Sequence, residues 1–319
     1  MDKSGPIYLD VASYLLLREE VLAILASQPT RAFDEIRFVA VDDTGGLDPE
    51  VDRLRELSGV RIVEPPFNLG HQRALVFALR VLSGEFAAHD YVVTMDADGE
   101  DRPADLPALL APLLANPENT RKVALARRTR RSESPPFKVL YFFFRVLFRV
   151  LTGIVVRSGN YVAYRGWLAR RLFFRPHFDL CYSSSFISLN VPVAPVLLER
   201  GRRYAGRSRM SYGRLLTHGF RMLLPFTDQI VIRALVTFAV TFGLSALALL
   251  AGLVLPRLSL ATPPGWVTSV PLIVMILSFV AVGNLVILFA AFFHSRGTSL
   301  QNLEREHHDG PGTSPPASD

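Results

Sequence analysis

Two long stretches without a charged side chain limit what this chain can become. Ala234–Pro256 and Leu258–Phe293 contain no Asp, Glu, Lys or Arg, and each supplies the roughly 20 apolar residues that a helix needs to cross a bilayer. The expected elements are two spans, about 230–255 and 269–293, joined by a short loop that holds Pro256, Pro263, Pro264, Gly265 and an interfacial Trp266. Composition agrees: half of the 319 residues are hydrophobic and 20% are charged, a balance that a wholly soluble domain covers poorly with polar surface. The single cysteine, Cys181, closes no intrachain disulfide and excludes a Cys-based zinc finger or a Cys-x-x-Cys redox pair. Met1–Asp10 has neither the basic nor the apolar region of a secretory signal. The polar tail from Ser295 reads as disordered.

The net charge of +6 hides an asymmetry. Residues 1–120 carry a net charge of −11, residues 121–221 one of +18, and residues 222–319 one of −1. A basic block of that density faces phosphates, whether of nucleic acid, anionic lipid or a pyrophosphate ligand. Inside the block, Phe137–Leu151 and Tyr212–Pro225 interrupt aromatic and leucine-rich faces with Arg, Lys and His at helical spacing. That is the pattern of helices lying in a membrane interface. With no recognition motif beside these aromatics, a nucleic-acid partner is disfavoured.

Ahead of the apolar stretches, strands alternate with helices. Strands are expected at Ile36–Val41, Val60–Val63, Tyr91–Met95 and Val123–Ala126, with helices near 49–57, 70–82 and 103–114. This is an α/β domain with a mainly parallel sheet, in which ligands collect at the carboxyl ends of the strands. Three polar turns stand there: Asp42-Asp43, Asn68-Leu69-Gly70-His71-Gln72, and Asp96-Ala97-Asp98-Gly99-Glu100-Asp101. Carboxylates grouped on one turn suit a hard divalent cation, Mg²⁺ or Mn²⁺, whose other ligands come from water and phosphate. An EF-hand loop needs Gly sixth and Glu twelfth, whereas Gly99 is fourth and Pro107 twelfth. A haloacid dehalogenase-type phosphatase would need Thr or Val at Glu100 and a later acidic pair, yet residues 121–221 hold only Glu133, Asp179 and Glu199.

Taken together and in order, VDDTGG, NLGHQRA and MDADGEDRP resemble the VDDGS, N-x-G and D-x-D blocks of family 2 inverting glycosyltransferases. The stretch from ALARRTRR into the aromatic helix, RRYAGRSRMSY, and the two terminal apolar stretches look like the polyprenyl-phosphate branch of that family, which includes bactoprenol glucosyltransferases and dolichyl-phosphate mannose synthases. The resemblance covers about residues 6–293. It implies a GT-A nucleotide-diphospho-sugar transferase fold, a Rossmann-like mixed sheet with interfacial helices and a two-helix transmembrane hairpin. The implied divisions are 1–135 for the nucleotide-sugar core, 136–228 for the acceptor side, 229–294 for the spans and 295–319 for the tail.

The same resemblance implies roles for single residues. Asp42 and Asp43 would contact base and ribose of the donor, with Tyr8, Asp10, Asn68 and His71 also on the donor side. Asp96 and Asp98 would hold the metal on its diphosphate, and Asp98 or Asp101 would serve as base where one is needed. Arg127, Arg203, Ser208 and Arg209 would contact phosphates, with Asn160 on the acceptor side.

Three departures stand out. Met1–Gly5 is too short and polar to be the family's first strand, so a neighbouring strand is expected to show an unpaired edge. Arg209 replaces a Lys, keeping the charge but not the geometry. Asn160 stands where many relatives carry an Asp, and an amide takes no proton. A sugar hydroxyl would miss that base, worth roughly 10²–10⁴-fold, but a phosphate monoester with a second pKa of about 6 is already largely dianionic at neutral pH. The expected partners are therefore a nucleotide-sugar donor, a polyprenyl-phosphate acceptor and a membrane, with self-association left open. The alternatives are another lipid or polysaccharide acceptor, or an inactive membrane adaptor. The positive-inside tendency puts the basic block, and with it both termini, on the cytoplasmic side of the membrane.

Overall fold

A computed structural model describes residues 11–27, 33–128, 135–155, 159–204, 212–254 and 265–294. Tyr8, Asp10, Ser208, Arg209, most of the loop expected between the apolar helices, and the tail from Ser295 lie outside the described residues.

The first helix, α1 (Val11–Ala26), has no counterpart among the expected elements. Its buried Val11, Tyr14, Leu17 and Val21 recur every three or four residues and so share one face. Next come β1 (Phe38–Val41), the short α2 (Asp52–Arg55) and β2 (Val60–Val63), the two strands pairing in parallel from Phe38↔Val60 to Val41↔Val63. A second sheet holds β3 (Tyr91–Thr94), β4 (Val123–Arg128), β5 (Val162–Arg165) and β6 (Val193–Leu198) in the order β3-β5-β4-β6. The expectation of a mainly parallel sheet is corrected here. In this second sheet β5 runs antiparallel to both neighbours and β4 and β6 are its parallel pair, which gives the mixed sheet of a GT-A-type α/β fold. β5 escapes a reading by alternation because it is four residues long and all four are buried.

Helices cover these sheets. α3 (His71–Val81) sends Val76 and Phe77 into a core with Val123, Val162 and Tyr164. The same core holds an aromatic cluster in which Phe173 lies 5.0 Å from Phe178 and 5.8 Å from Tyr182, ring centre to ring centre. α7 (Tyr182–Ser188) supplies Tyr182 and Phe186 to that cluster, and α6 (Gly166–Leu172) adds Leu168, Ala169 and Leu172 to the same core. α4 (Leu106–Leu114), entered through Pro103, packs Leu106, Leu109 and Leu113 against Leu17 and Val21 of α1. The other end of α1, Val11 and Tyr14, packs with Ala40 of β1 and Leu54 of α2. One helix therefore serves both sheets.

A second compact unit takes the larger part of α5 (Pro135–Thr152) with α9 (Thr227–Val254) and α10 (Trp266–His294). The two terminal helices lie within a few residues of their expected bounds, and they pack side by side with Phe238 and Phe279 ring centres 6.1 Å apart. Among the described residues one helical stretch, Leu216–Ala251, 36 residues long, is long and apolar enough to cross a membrane; the apolar described part of α10, Ser269–Asn284, is shorter. α5 has two unlike faces. Phe148 is fully buried against Phe226, while Val139, Phe142, Phe143, Val146, Leu147 and Val150 form an exposed apolar stripe at helical spacing.

Candidate active site

Strand ends and register bring together residues that lie far apart in the chain. β3 pairs with β5 from Tyr91↔Arg165 to Thr94↔Val162, and continuing that antiparallel register by two residues sets Asn160 across from Asp96. Thr94 Oγ1 fixes the junction by donating to the Asn160 carbonyl at 2.6 Å, within reach of the Tyr182 hydroxyl at 2.8 Å. Beyond Thr94 the chain turns through Asp96–Asp101. The Asp96 N–H donates to Asp101 Oδ2 and the Glu100 N–H to Asp98 Oδ1, each at 2.9 Å.

Cations from two other segments brace this turn. Arg128 Nη2 donates to Asp101 Oδ1 at 2.9 Å and its Nη1 lies 3.6 Å from Glu100. Arg203 Nε donates to Glu100 Oε1 at 2.8 Å and its Nη2 lies 3.0 Å from Asp98 Oδ2, while Arg200 also pairs with Glu100. Gly201 N–H to Glu100 O and Tyr204 N–H to Asp98 O, both 2.9 Å, lay segment 201–204 along the turn. Gly99 makes this contact possible. Its φ is +85°, and an added Cβ would stand 2.9 Å from both Arg202 O and the Tyr204 ring. Gly99→Ala is expected to cost about 2 kcal/mol in a denaturant-unfolding comparison, from left-handed backbone strain and overpacking together. An unchanged midpoint would mean that segment 201–204 does not rest on the turn.

The four carboxyl groups do not titrate alike. Burial works against a charge on Asp96, but the His71 hydrogen bond and charge, with Arg128 and Asn160, hold its pKa down at about 2. Burial, and then the Asp96 charge, push Asp101 up to about 7 against the pull of Arg128. Burial likewise raises Asp98, while Arg200 and Arg203 overcome burial at Glu100 and keep it low. Both oxygens of the buried Asp101 are engaged, by the Asp96 amide and Arg128, so this carboxyl braces the turn.

On the opposite side stands the start of α3. The buried Asp42 turns back to accept from Thr44 N–H at 3.1 Å and Thr44 Oγ1 at 2.8 Å, a local Asx-type turn. Asp43 Oδ1 accepts from Leu69 N–H, and its carbonyl accepts from Asn68 Nδ2, each at 2.6 Å. These bonds lock the turn that leads into α3, and burial raises the Asp43 pKa in spite of them. His71 Nε2 lies 3.2 Å from Asp96 Oδ1. Burial opposes its charge, but the Asp96 hydrogen bond and charge outweigh it and raise the His71 pKa.

A polar chain fixes Asn160. Gln72 Oε1 accepts from the Ser183 N–H at 3.0 Å, so the amine end of its amide must point the other way and donate to Asn160 Oδ1. Asn160 Nδ2 is thereby aimed at Asp96 Oδ1, 3.4 Å away. It presents a donor to the acid site.

The structure thus gathers Asp43, Asn68, His71, Asp96, Asp98, Asp101, Asn160 and Arg203 around two facing turns. It does not bring Arg127 to the acid turn. β4 alternates sides, and the guanidinium that reaches Asp101 belongs to Arg128, the next residue. Arg200 and Gln72 are further members to which the sequence assigns no role. The strand period at Ala126–Arg128 signals Arg128 in advance, whereas Gln72 stands in a polar turn with nothing to set it apart from its neighbours. As for a divalent cation, Asp96 Oδ2 has no hydrogen-bond partner among the described residues, and Asp98 contributes a second carboxylate from the same turn. No group of three or more His, Cys, Asp or Glu among the described residues is arranged to hold a metal. The donor set fits a cation that takes two protein ligands and completes its shell with phosphate and water oxygens.

The model of the family described as Glycosyl transferase family 2 matches residues 15–173, a stretch that includes the acid turn, the start of α3 and Asn160. No curated protein matches the chain.

Proposed function

Residues 15–173 are a family 2 glycosyl transferase domain, which makes the chain a glycosyltransferase; from that premise we propose that it moves a sugar from a nucleoside-diphosphate donor to a polyprenyl phosphate at the cytoplasmic face of a membrane. The observation that carries the lipid part is the exposed stripe of α5, Val139 to Val150. Such a stripe, with Arg145 and Arg149 on the same helix, suits an element lying in the headgroup region with its long cations reaching outward. α9 and α10 would form the transmembrane hairpin, and the charge asymmetry supports a cytoplasmic catalytic domain.

The phosphate part is supported by Asn160. The residue facing Asp96 is an amide held in donor orientation, which suits a nucleophile that needs no base. A phosphate oxygen of the acceptor forms the new bond to the anomeric carbon, and the bond from that carbon to the donor diphosphate breaks. The electron pair leaves on the nucleoside diphosphate, and no proton has to be removed from a dianion. Asp96 and Asp98 would hold the Mg²⁺ or Mn²⁺ common in this family, which when bound neutralises charge on the departing diphosphate. Arg203 and Arg128 keep the acid turn folded and in charge balance.

The test gives purified full chain in lipid nanodiscs a panel of nucleotide sugars, with undecaprenyl phosphate or undecaprenol as acceptor, and detects product by mass spectrometry. A sugar-phosphate-linked lipid from undecaprenyl phosphate is expected, with a rising limb of activity near pH ~6 from the acceptor's second ionisation. Product on undecaprenol alone would replace the acceptor assignment with a hydroxyl.

A further inference from the structure

We propose that Arg203 makes cation binding at the acid turn conditional on the donor diphosphate: its guanidinium sits on Asp98, repels a divalent ion that arrives alone, and gives way to one that arrives with the negative charge of a nucleoside diphosphate. The proposal rests on the assignment of Asp96 and Asp98 to a cation and adds a specificity-determining residue beyond the matched family region, which ends at 173.

Arg203 stands on the stretch of chain between β6 and α8 (Tyr212–Leu223). Both oxygens of Asp98 are engaged: Oδ1 accepts from the Glu100 N–H at 2.9 Å, and Oδ2 lies 3.0 Å from Arg203 Nη2. A cation that takes Asp98 Oδ2 therefore meets a guanidinium already in contact, and like charges that close repel. The balance of charge acts in the same direction. Four carboxyl groups, Asp96, Asp98, Glu100 and Asp101, against three guanidiniums, Arg128, Arg200 and Arg203, leave at most one net negative charge. That is little to hold a doubly charged ion. With Arg203 turned away, a second carboxylate charge is left unbalanced and the turn matches the ion.

Of the three guanidiniums, Arg203 is the one placed to yield. Arg128 holds Asp101, whose side chain is 3% exposed, and Arg200 holds Glu100, at 11%. Asp98 and Arg203 are 30% and 32% exposed, so their contact faces solvent and breaks without uncovering a buried charge. Two hydrogen bonds pin the backbone on either side of Arg203, from Gly201 N–H to Glu100 O and from Tyr204 N–H to Asp98 O. The side chain can therefore swing while the segment stays on the turn. Arg203 Nε donates to Glu100 Oε1 at 2.8 Å, and this bond supplies a pivot: the guanidinium can leave Asp98 and still keep a carboxylate partner.

A divalent ion alone has to displace Arg203 against the full repulsion between them. A donor diphosphate brings negative charge of its own, so ion and donor together add little positive charge to the turn. Each of the two ligands then raises the affinity for the other by the same factor, and Arg203 sets the size of that factor. Free cations are thereby kept from occupying Asp98 ahead of the donor.

The test titrates Mn²⁺ into the full chain in micelles of an uncharged detergent, alone and with UDP or GDP, whichever the wild type holds, and follows the ion by its EPR signal. Binding lost in Asp98→Asn marks the site. Arg203→Gln should bind Mn²⁺ alone about 10-fold more tightly than the wild type does, with no tightening of the pair of Mn²⁺ and nucleoside diphosphate. Arg203→Lys, which keeps the charge, should stay within about 3-fold of the wild type for the ion alone. An Arg203→Gln chain that melts with the wild type yet binds Mn²⁺ alone no better, or an equal tightening in Arg203→Lys, would overturn the proposal. A wild-type structure with Mn²⁺ and the nucleoside diphosphate needs no variant: Arg203 should have left Asp98, and Nη2 still within about 3.5 Å of Oδ2 would overturn the proposal as well. If Asp98→Asn binds the pair as the wild type does, it is instead the assignment of the cation to this turn that is overturned.

Discussion

Asp96→Asn is expected to lower turnover by about 10³-fold, close to the several kcal/mol that a divalent cation contributes to stabilising a leaving diphosphate. The loss should appear at every Mg²⁺ or Mn²⁺ concentration, because the substitution removes the oxygen proposed to bind the cation and the negative charge that His71 and Arg128 hold in place. Folding should change little, since an amide oxygen at the same position still accepts from His71 and Asn160. A variant that melts with the wild type and keeps more than a tenth of its turnover would remove Asp96 from the mechanism.

Asn160→Asp should also be damaging, by about 10- to 100-fold. The substitution replaces the Nδ2 donor that faces Asp96 Oδ1 at 3.4 Å with a second carboxylate, and like charges at that distance force one of the two to retain a proton. The amine end of Gln72, now pointed at a carboxylate, would hold the new side chain in place. A plain loss of the amide, as in Asn160→Ala, should cost less. If Asn160→Asp instead raised the rate, the site would have been short of a base, and the acceptor would be a hydroxyl.

The parts of the fold visible in the sequence are those governed by local pattern. Val60–Val63 alternates and is bounded by turn residues, and both apolar terminal helices announce themselves by length alone. The parts that were not visible depend on pairing at a distance. β5 is a buried four-residue strand among basic neighbours, and its antiparallel register is what carries Asn160 to Asp96. Arg127 and Arg128 differ only in which side of β4 they occupy, so a motif that names the position cannot choose between them without the strand period. Asp42 and Asp43, equivalent as a sequence pair, diverge because one caps its own turn while the other ties down the entry to α3. Gln72 reads as an ordinary first-turn residue until the Ser183 amide orients it.

The double duty of α1 has a consequence for how the molecule comes apart. β1 and β2 have no described strand partner but each other, and a two-stranded ribbon is marginal alone in water. One side of the ribbon is covered by Val11 and Tyr14, and on the other Val63 packs into the core of the second sheet with Val41 against it, while Leu17 and Val21 of α1 are anchored on α4. Loosening the first turns of α1 would uncover Ala40 and leave the two-stranded sheet, with Asp43 just beyond β1, held only through Val41 and Val63. Asp43 and the turn it ties down are therefore expected to show lower hydrogen-exchange protection than the acid turn they face. A donor that bridges the two would oppose that loosening by mass action.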